Sequence, residues 1–310
     1  KNVIKARQRM LRRDGLVITQ FSLCHKFLEE IMTQVSRGLL SGTDTLILER
    51  KGGNLTIWLN RPEVKNALSI EMTEGLYSTL KQVENDRTIR TIVLRGKGGF
   101  FCAGADLKDF QSVAQQGSAI DVAKGNRSFG FLMSQLNEQP QVVIILVEGA
   151  AIGGGLGLAC VADVTLVMSD ARFRLSETSL GIPPAQIAPF VTERVGLMQA
   201  RRLMLTGARF NGDDAVALGI AHDHATSLDE LEVKCEKILH QISACAPEAN
   251  AVTKSILFET LRKPRSEALD FAAERFARCI LGREGREGLS AFVEKRKPYW
   301  VTNLNEESGL

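Results

Sequence analysis

Two short strands with apolar side chains on both faces constrain the fold of this chain more than any other feature. They are TIVLRG at Thr91–Gly96 and VVIILVEG at Val142–Gly149. Apolar residues at helical spacing predict a helix at Ser69–Val83 before the first strand and a helix at Asp121–Leu136 before the second. Strands that are apolar on both faces are typical of parallel sheets covered by helices. The sequence therefore predicts an α/β fold with a largely parallel sheet.

The segments on either side of this region have different patterns. From Thr45 the side chains alternate in TLILER and NLTIWLNRP, and Gly52–Gly53 separates the two runs, which predicts a β-hairpin. After about Val191 the apolar spacing becomes helical, with Gly, Pro and Asp residues between the segments. We expect the C-terminal third to be a helical module.

The bulk composition is that of a globular protein and does not indicate a membrane span or a particular partner. Hydrophobic residues make up 44% and charged residues 24% of the 310 residues, as in ordinary globular domains. No apolar run approaches the roughly 18 residues that a membrane-spanning helix needs. The net charge is only +3, well below that of a dedicated nucleic-acid-binding protein.

The cysteine and histidine residues do not indicate a metal site. The six cysteines have no CxxC spacing, so we interpret them as reduced thiols in a reducing compartment. His222 and His224 form one HxH pair in a polar segment without a nearby third ligand, which favours a surface loop. No metal is predicted.

Two glycine-containing loops are the best candidates for chemistry. Gly96–Phe110 and Glu148–Cys160 each follow a predicted strand and lead into a helix, where backbone N–H groups lack intrahelical partners. Neither loop has the GxGxxG or GKS/GKT pattern of a nucleotide-binding loop. Together they can present two N–H donors to one oxygen atom.

These loops belong to five segments that occur in the order and spacing of the crotonase (enoyl-CoA hydratase/isomerase) superfamily, which the chain resembles from about Thr45 to Trp300. The segments are RPEVKNALS (Arg61–Ser69), FFCAGADLKDF (Phe100–Phe110), VEGAAIGGGLGLACVADV (Val147–Val164), FRLSETSLGIPP (Phe173–Pro184) and FVEKRKPYW (Phe292–Trp300).

The resemblance implies a fold and an assembly. The fold would be a crotonase-type spiral of ββα units with a helical C-terminal trimerisation region, in a homotrimer or a hexamer. The expected divisions are residues 1–43 as a basic N-terminal arm or targeting remnant, 44–245 as the spiral core and 246–310 as the helical C-terminal region.

The resemblance also implies a site. The amides of Ala105 and Gly154 would bind the oxygen of an acyl-CoA thioester and stabilise an enolate, and Glu177 would act as the acid and base. Coenzyme A would be part of the substrate, with no separate cofactor. Its phosphates and adenine would lie near Lys65, Asn66 and Ala67, and near Lys295 and Lys297 of the same or a neighbouring subunit.

One position departs from the family's hydratases, which use two glutamates. The first of these corresponds to Gly157, which has no carboxylate, whereas the second corresponds to Glu177. One carboxylate is sufficient to move a proton between two carbons, whereas adding water is easiest with two. Ile182–Phe210 nevertheless resembles isohexenylglutaconyl-CoA hydratase and related hydratases of branched acyl groups, and Gln186 is a polar residue available there.

Three functions therefore remain open. The first is an enoyl-CoA hydratase/isomerase, and the second is a Δ3,Δ2-enoyl-CoA isomerase without hydratase activity. The third is a weakly active or inactive homologue that serves as a structural or RNA-associated subunit of a mitochondrial assembly. Residues 1–13 carry six basic side chains before the first acid, Asp14, a composition typical of mitochondrial targeting segments or of a helical arm.

Overall fold

The computed structural model describes residues 42–301, apart from residues 107, 110 and 112–116. The predicted basic arm lies outside these residues except for its last two positions. None of the helices in the described part of the chain is long and apolar enough to cross a membrane.

The strands form two sheets, a larger one of six strands and a smaller one of three. In chain order the strands are β1 (Leu46–Lys51), β2 (Asn54–Leu59), β3 (Thr91–Gly96), β4 (Val142–Val147), β5 (Ala150–Ile152), β6 (Val164–Met168), β7 (Arg172–Arg174), β8 (Arg209–Phe210) and β9 (Asp223–Ala225).

The larger sheet has the order β1-β2-β3-β4-β6-β9, and the smaller sheet has the order β5-β7-β8. Only the β1–β2 hairpin is antiparallel in the larger sheet, and the turn at Gly52 has a positive φ of 55°. After β4 the chain alternates between the two sheets, with β5 and β7 in the smaller sheet and β6 in the larger one. The predicted spiral of ββα units is therefore confirmed.

Nine α-helices surround these sheets in the described residues. They are α1 (Ile70–Val83), α2 (Ala119–Asn137), α3 (Gly154–Val161), α4 (Ala188–Thr206), α5 (Gly212–Ala217), α6 (Leu228–Ser243), α7 (Pro247–Arg262), α8 (Arg265–Leu281) and α9 (Arg283–Val293).

Side-chain caps explain where several helices begin. Ser69, Ser118 and Ser227 each accept a hydrogen bond from the backbone N–H three residues later, at the starts of α1, α2 and α6. Helix α6 then packs on β6 and β9, where Leu231 and Cys235 join the apolar core of the larger sheet. The central strands β3, β4 and β6 of the larger sheet are thus buried, as the apolar pattern predicted.

Two predictions about the C-terminal third need correction. The short strands β8 and β9 interrupt the helices, and β9 joins the edge of the larger sheet beside β6. His224 lies in β9 and not in a loop, and the Nδ1 atom of His222 accepts a hydrogen bond of 3.0 Å from the backbone N–H of Thr165. Three-residue strands have too few residues to show an alternating pattern, so sheet pairing decided this segment.

A buried lysine anchors the C-terminal helices to the core. Lys254 of α7 donates hydrogen bonds of 2.7 Å to the carbonyl oxygens of Gln139 and Gln141, and it pairs with the carboxylate of Asp163. Asp163 in turn accepts a hydrogen bond from the backbone N–H of Val143, which belongs to β4. Helix α7 is thereby fixed against the beginning of β4.

Asn66 connects the loops that follow β2 and β3. Its side chain is fully buried; its Nδ2 atom donates to the carbonyl oxygens of Lys97 and Phe100 at 2.9 and 2.6 Å, and its Oδ1 atom accepts from the backbone N–H of Arg61 at 2.8 Å. The φ angle of Asn66 is +54°, a left-handed conformation that asparagine tolerates better than most residues. One buried side chain thus holds the backbone of both loops.

Replacing Asn66 with Ala should lower the free energy of unfolding by about 3–5 kcal/mol, because two carbonyls and one N–H lose buried partners and alanine is strained at this φ angle. Urea unfolding at one fixed protein concentration measures the change. Asn60→Ala is the matched control, since Asn60 makes one exposed hydrogen bond of 3.0 Å, to Asp44, and its loss should cost less than about 1 kcal/mol. Equal losses in the two variants would contradict this role of Asn66.

Candidate active site

The backbone of Ala105 is held with its N–H group pointing away from its neighbouring segment. Leu68 and Ala105 form a parallel bridge in which Leu68 donates to the Gly104 carbonyl at 2.7 Å and accepts from the Asp106 N–H at 3.0 Å. In a parallel ladder the central residue directs its own N–H and C=O to the opposite side. Among the hydrogen bonds of the described residues, the Ala105 N–H has no acceptor.

The Gly154 amide is the first of helix α3. The first four N–H groups of a helix have no intrahelical acceptor, and the N–H of Gly154 also lacks one elsewhere in the described part of the chain. Gly153, directly before it, has φ +51° and ψ −116°, which a side chain would strain. This turn directs the Gly154 amide out of the helix end.

The two amides belong to loops that lie against each other. Cys102 and Ala151 form a parallel bridge, with hydrogen bonds of 3.0 Å from Cys102 to Ala150 and from Ile152 to Cys102. A carbon atom placed as Cβ on Gly104 would lie 2.9 Å from the carbonyl oxygen of Ile152. The peptides of residues 104–105 and 153–154 are therefore adjacent, so both donors can address one oxygen atom.

An ion pair connects the loop that follows β2 to the residue directly after Ala105. Arg61 donates to the carboxylate of Asp106 at 2.9 Å and to the carbonyl of Ala67 at 2.7 Å. The pair lowers the pKa of the Asp106 carboxyl, chiefly through the hydrogen bond from Arg61. Both residues lie within the sequence motifs, but they are 45 positions apart in the chain and their pairing was not predicted.

Apolar side chains line the space beside Gly154. A Cβ atom on Gly154 would lie 3.1 Å from Cδ1 of Leu68 and 3.2 Å from Cζ of Phe129. A Cβ atom here would require one of these side chains to shift by a few tenths of an ångström, so glycine favours both close packing and access to the amide. Phe129, on α2, was not identified from the sequence, because nothing in a helical pattern shows which face meets a loop.

Sheet register places Glu177 next to the glycine turn. Strand β7 pairs with β5, with Arg174 opposite Ile152, and the Gly153 N–H donates to the Arg174 carbonyl at 2.8 Å. Glu177 begins a short 3-10 helix after β7, Glu177–Leu180. A Cβ atom on Gly153 would lie only 2.8 Å from Oε1 of Glu177, so the carboxylate touches the turn that precedes the Gly154 amide.

The environment of Glu177 favours its protonated form. Its Oε2 atom is buried and has no hydrogen-bond partner in the described residues. Burial raises the pKa of the Glu177 carboxyl above its ordinary value, while the backbone N–H groups of Glu177 and Ser176 oppose this rise. A carboxyl group with a raised pKa that lies beside paired amide donors is suited to taking and returning a proton.

The missing second glutamate has an apolar replacement. A Cβ atom on Gly157 would lie 2.5 Å from Cγ2 of Ile187 and 3.4 Å from Cε of Met133. Ile187 and Met133 are both buried. The structure therefore has no room for a carboxylate at residue 157 without moving Ile187.

The residues near Lys65 that were expected to hold coenzyme A differ in their exposure. Lys65 is exposed, with its Nζ atom 5.0 Å from the centre of the Phe100 ring, and Ala67 is half-buried. The side chain of Asn66 is buried and engaged with the loop backbone, so it holds the loop that carries Lys65.

Lys295 and Lys297 follow α9 and are exposed. Three residues after Lys297, the carbonyl of Trp300 accepts a hydrogen bond of 2.7 Å from Arg90, which precedes β3. Asn66, in contrast, binds the carbonyl of Lys97, which follows β3. A strand of six residues is roughly 20 Å long, so Trp300 and Asn66 bind at opposite ends of β3.

The described residues contain no cluster of three or more His, Cys, Asp or Glu side chains that could hold a metal ion. Their five cysteines are all free, and burial raises the pKa of Cys102 to about 12. Cys102 packs behind Gly155, and its thiol stays protonated and is therefore a poor nucleophile. The groups available for chemistry at this candidate site are therefore the amides of Ala105 and Gly154 and the carboxyl of Glu177.

The chain is similar to known proteins of one family. The family model described as enoyl-CoA hydratase/isomerase matches residues 49–303. The chain is 32% identical over 235 residues to a probable enoyl-CoA hydratase of Bacillus subtilis, covering 75% of this chain and 90% of that protein.

Solved structures give the same result. Pseudomonas aeruginosa AtuE is 49% identical, with a TM-score of 0.82 over 83% of this chain and all of that one (100%). An enoyl-CoA hydratase/isomerase from Marinobacter aquaeolei is 46% identical, with a TM-score of 0.81 over 84% of this chain and 100% of that one. With its ββα spiral, its paired loops and these matches, the chain belongs to the enoyl-CoA hydratase/isomerase family, the crotonase superfamily.

Proposed function

We propose that this enzyme acts on an acyl-CoA thioester through an enolate that the amides of Ala105 and Gly154 stabilise, with Glu177 as its single acid and base. The observation that carries the proposal is the contact between Glu177 and Gly153, the residue directly before the Gly154 amide. Proton transfer and charge stabilisation thus occur at neighbouring atoms.

Each group has a defined task in this mechanism. The two N–H groups bind the thioester oxygen and hold it more strongly as negative charge develops there, which lowers the barrier to the enolate. The ionised carboxylate of Glu177 removes a proton, and the same carboxyl returns it to carbon. Leu68 and Phe129 make the surroundings of the Gly154 amide apolar, which strengthens the interaction between the amides and the enolate oxygen.

Coenzyme A would be bound as part of the substrate. The exposed ammonium group of Lys65, in the loop that follows β2, is suited to bind its phosphates. Because Trp300, shortly after Lys295 and Lys297, is bound at the other end of β3, we infer that these lysines approach the coenzyme A of a neighbouring subunit.

Isomerisation without hydration has one observation in its favour. Ile187 and Met133 fill the place of a carboxylate at residue 157, so the second glutamate of the hydratases has no counterpart at that position. Migration of a double bond requires only removal and return of one proton, for which Glu177 is sufficient. Matched 2-enoyl-CoA and 3-enoyl-CoA substrates separate the two reactions.

We also propose that the enzyme works in mitochondria as a homotrimer or a dimer of trimers. The relatives are mainly bacterial, but a probable enoyl-CoA hydratase of Arabidopsis thaliana that is named mitochondrial is 30% identical over 266 residues, covering 85% of this chain and 84% of that protein. The basic segment that motivated a role in RNA binding or in a larger assembly lies outside the described residues, so that role remains a prediction.

The C-terminal helices support a trimer because they expose large apolar side chains. Phe276 and Leu281 of α8 are 65% and 67% exposed, and Phe292 and Val293 of α9 are 85% and 79% exposed. Phe258 and Leu261 of α7 also line a surface cavity of about 420 Å³. Apolar surface of this kind on a soluble domain indicates a protein interface.

Replacing Glu177 with Gln should abolish turnover of both 2-enoyl-CoA and 3-enoyl-CoA substrates, because an amide cannot accept the proton. Coenzyme A binding, measured by calorimetry, should be retained because the loop of Lys65 is unchanged. Glu193→Gln on α4 is the control and should leave turnover unchanged. Retained turnover in Glu177→Gln would refute the assignment of Glu177.

The raised pKa of Glu177 has consequences for both activity and stability. Turnover should fall as the pH drops through this raised pKa, at a higher pH than for an ordinary glutamate, because only the ionised form removes a proton.

The raised pKa also affects stability, because the folded state binds the proton of Glu177 more tightly than the unfolded state does. Ionisation of Glu177 therefore destabilises the fold as the pH rises from the ordinary pKa of a glutamate to the raised pKa. Thermal unfolding should therefore show Glu177→Gln to be more stable than the wild type at neutral pH, with a smaller difference below the ordinary pKa. A less stable variant at neutral pH would contradict this.

Sedimentation of the wild-type protein should give three or six times the mass of one chain. Phe276→Glu combined with Leu281→Glu should give smaller species, because charges would enter an apolar interface. Leu228→Glu on α6, where Leu228 is 52% exposed, is the matched control and should leave the assembly intact. A monomeric wild-type protein would exclude the proposed trimer.

A further inference from the structure

One face of helix α2 lies over the candidate active site, and it changes character along its length. Asn126, Phe129, Gly130 and Met133 have the spacing of a single helix face. Phe129 approaches Gly154, and Met133 lies beside Gly157, where a Cβ atom would be 3.4 Å from its Cε atom. Gly130 and Asn126 form the polar end of the same face.

Gln186 packs onto this polar end. Its Nε2 atom donates a hydrogen bond of 3.0 Å to Oδ1 of Asn126. A Cβ atom on Gly130 would lie 2.0 Å from Oε1 of Gln186 and 2.6 Å from Nη1 of Arg127. The absence of a side chain at Gly130 thus gives Gln186 its position against α2.

This contact leaves two hydrogen-bonding groups available. Within the described part of the chain, the Oε1 atom of Gln186 accepts no hydrogen bond and the Nδ2 atom of Asn126 donates none. An acceptor beside a donor matches a water molecule, which can donate to one group while it accepts from the other. Both groups belong to half-buried parts of the chain and not to the open surface.

We propose that Gln186, held by Asn126 and by the space above Gly130, positions the water molecule for hydration in place of a second glutamate. This inference rests on the proposed function. Ile187, the next residue, fills the place of the absent carboxylate at residue 157. Two adjacent residues therefore block that place and supply a neutral polar group, the Gln186 amide, close to it.

The chemical step balances with Glu177 as the only base. An O–H bond of water breaks, its proton passes to the Glu177 carboxylate, and its oxygen bonds to Cβ of the enoyl group. The electron pair of the double bond moves to the thioester oxygen, which the two amides stabilise. The enolate then takes the same proton from Glu177 to form the Cα–H bond, which leaves Glu177 ionised again. Gln186 keeps the water oriented by accepting its other O–H group.

The experiment compares hydration of a 2-enoyl-CoA with double-bond migration in a 3-enoyl-CoA, both catalysed by the purified full-length enzyme. Gln186→Leu should reduce kcat for hydration by about 100-fold, because the water is no longer oriented. Double-bond migration should stay within about threefold of the wild type, because Glu177 and the amides are unaffected and the reaction uses no water. A purely structural role would lower both reactions together.

Two further variants keep the test independent of folding. Gly130→Ala displaces Gln186 without changing its chemistry and should reduce hydration selectively in the same way. Gln199→Leu, the same substitution within α4, is the matched control and should change neither reaction. Thermal unfolding of each variant verifies that it is folded.

The outcomes separate the two proposals. Selective loss of hydration in Gln186→Leu and Gly130→Ala supports the role of Gln186. Unchanged hydration in Gln186→Leu, equal loss of both reactions, or a wild-type enzyme that catalyses double-bond migration alone would overturn that role while the proposed function stands. A folded wild-type enzyme that catalyses neither reaction would overturn the proposed function, and this inference with it.

Discussion

The site depends on the buried amide side chain of Asn66. Its hydrogen bonds to Arg61, Lys97 and Phe100 bring together the loops that follow β2 and β3. Because the second loop then forms bridges to Leu68 on one side and to Ala151 on the other, a displacement of Asn66 would reach both amide donors. An oxyanion site needs donors that are fixed before the reaction, since donors that must reorganise lose most of their stabilising effect. Asn66 supplies this rigidity without touching the reacting atoms.

The spiral explains why Glu177 reaches the same place. The register of β5 with β7 fixes the distance between the glycine turn at Gly153 and the end of β7, and the short helix that starts there points Glu177 at the turn. Successive turns of the spiral thus contribute the three groups of the proposed site, which are the amide of Ala105, the amide of Gly154 and the carboxyl of Glu177. The burial that raises the pKa of Glu177 comes from this packing and not from a neighbouring charge.

The departure at Gly157 is part of a coordinated change in packing. Ile187 and Met133 occupy the volume of the absent side chain, and Gly130 leaves room for Gln186. Gly157 on α3 thus accommodates Ile187, and Gly130 on α2 accommodates Gln186, the residue directly before it. A carboxylate at residue 157 would therefore require Ile187 to move.

Much of this protein can be predicted from local sequence. Apolar strands such as Val142–Val147 have too few polar side chains for an exposed surface, so they determine a buried parallel sheet. Ser69 marks the start of α1 because its hydroxyl satisfies an exposed backbone N–H. The glycine turns at residues 104 and 153–155 permit backbone conformations and close contacts that other residues resist. Tertiary structure alone decided which distant atoms meet: Glu177 at Gly153, Phe129 at Gly154, Ile187 at Gly157 and Gln186 at Gly130. The physical reason is that these contacts depend on sheet register and helix rotation, which are set by packing over the whole chain and leave no periodic signal at the residues themselves.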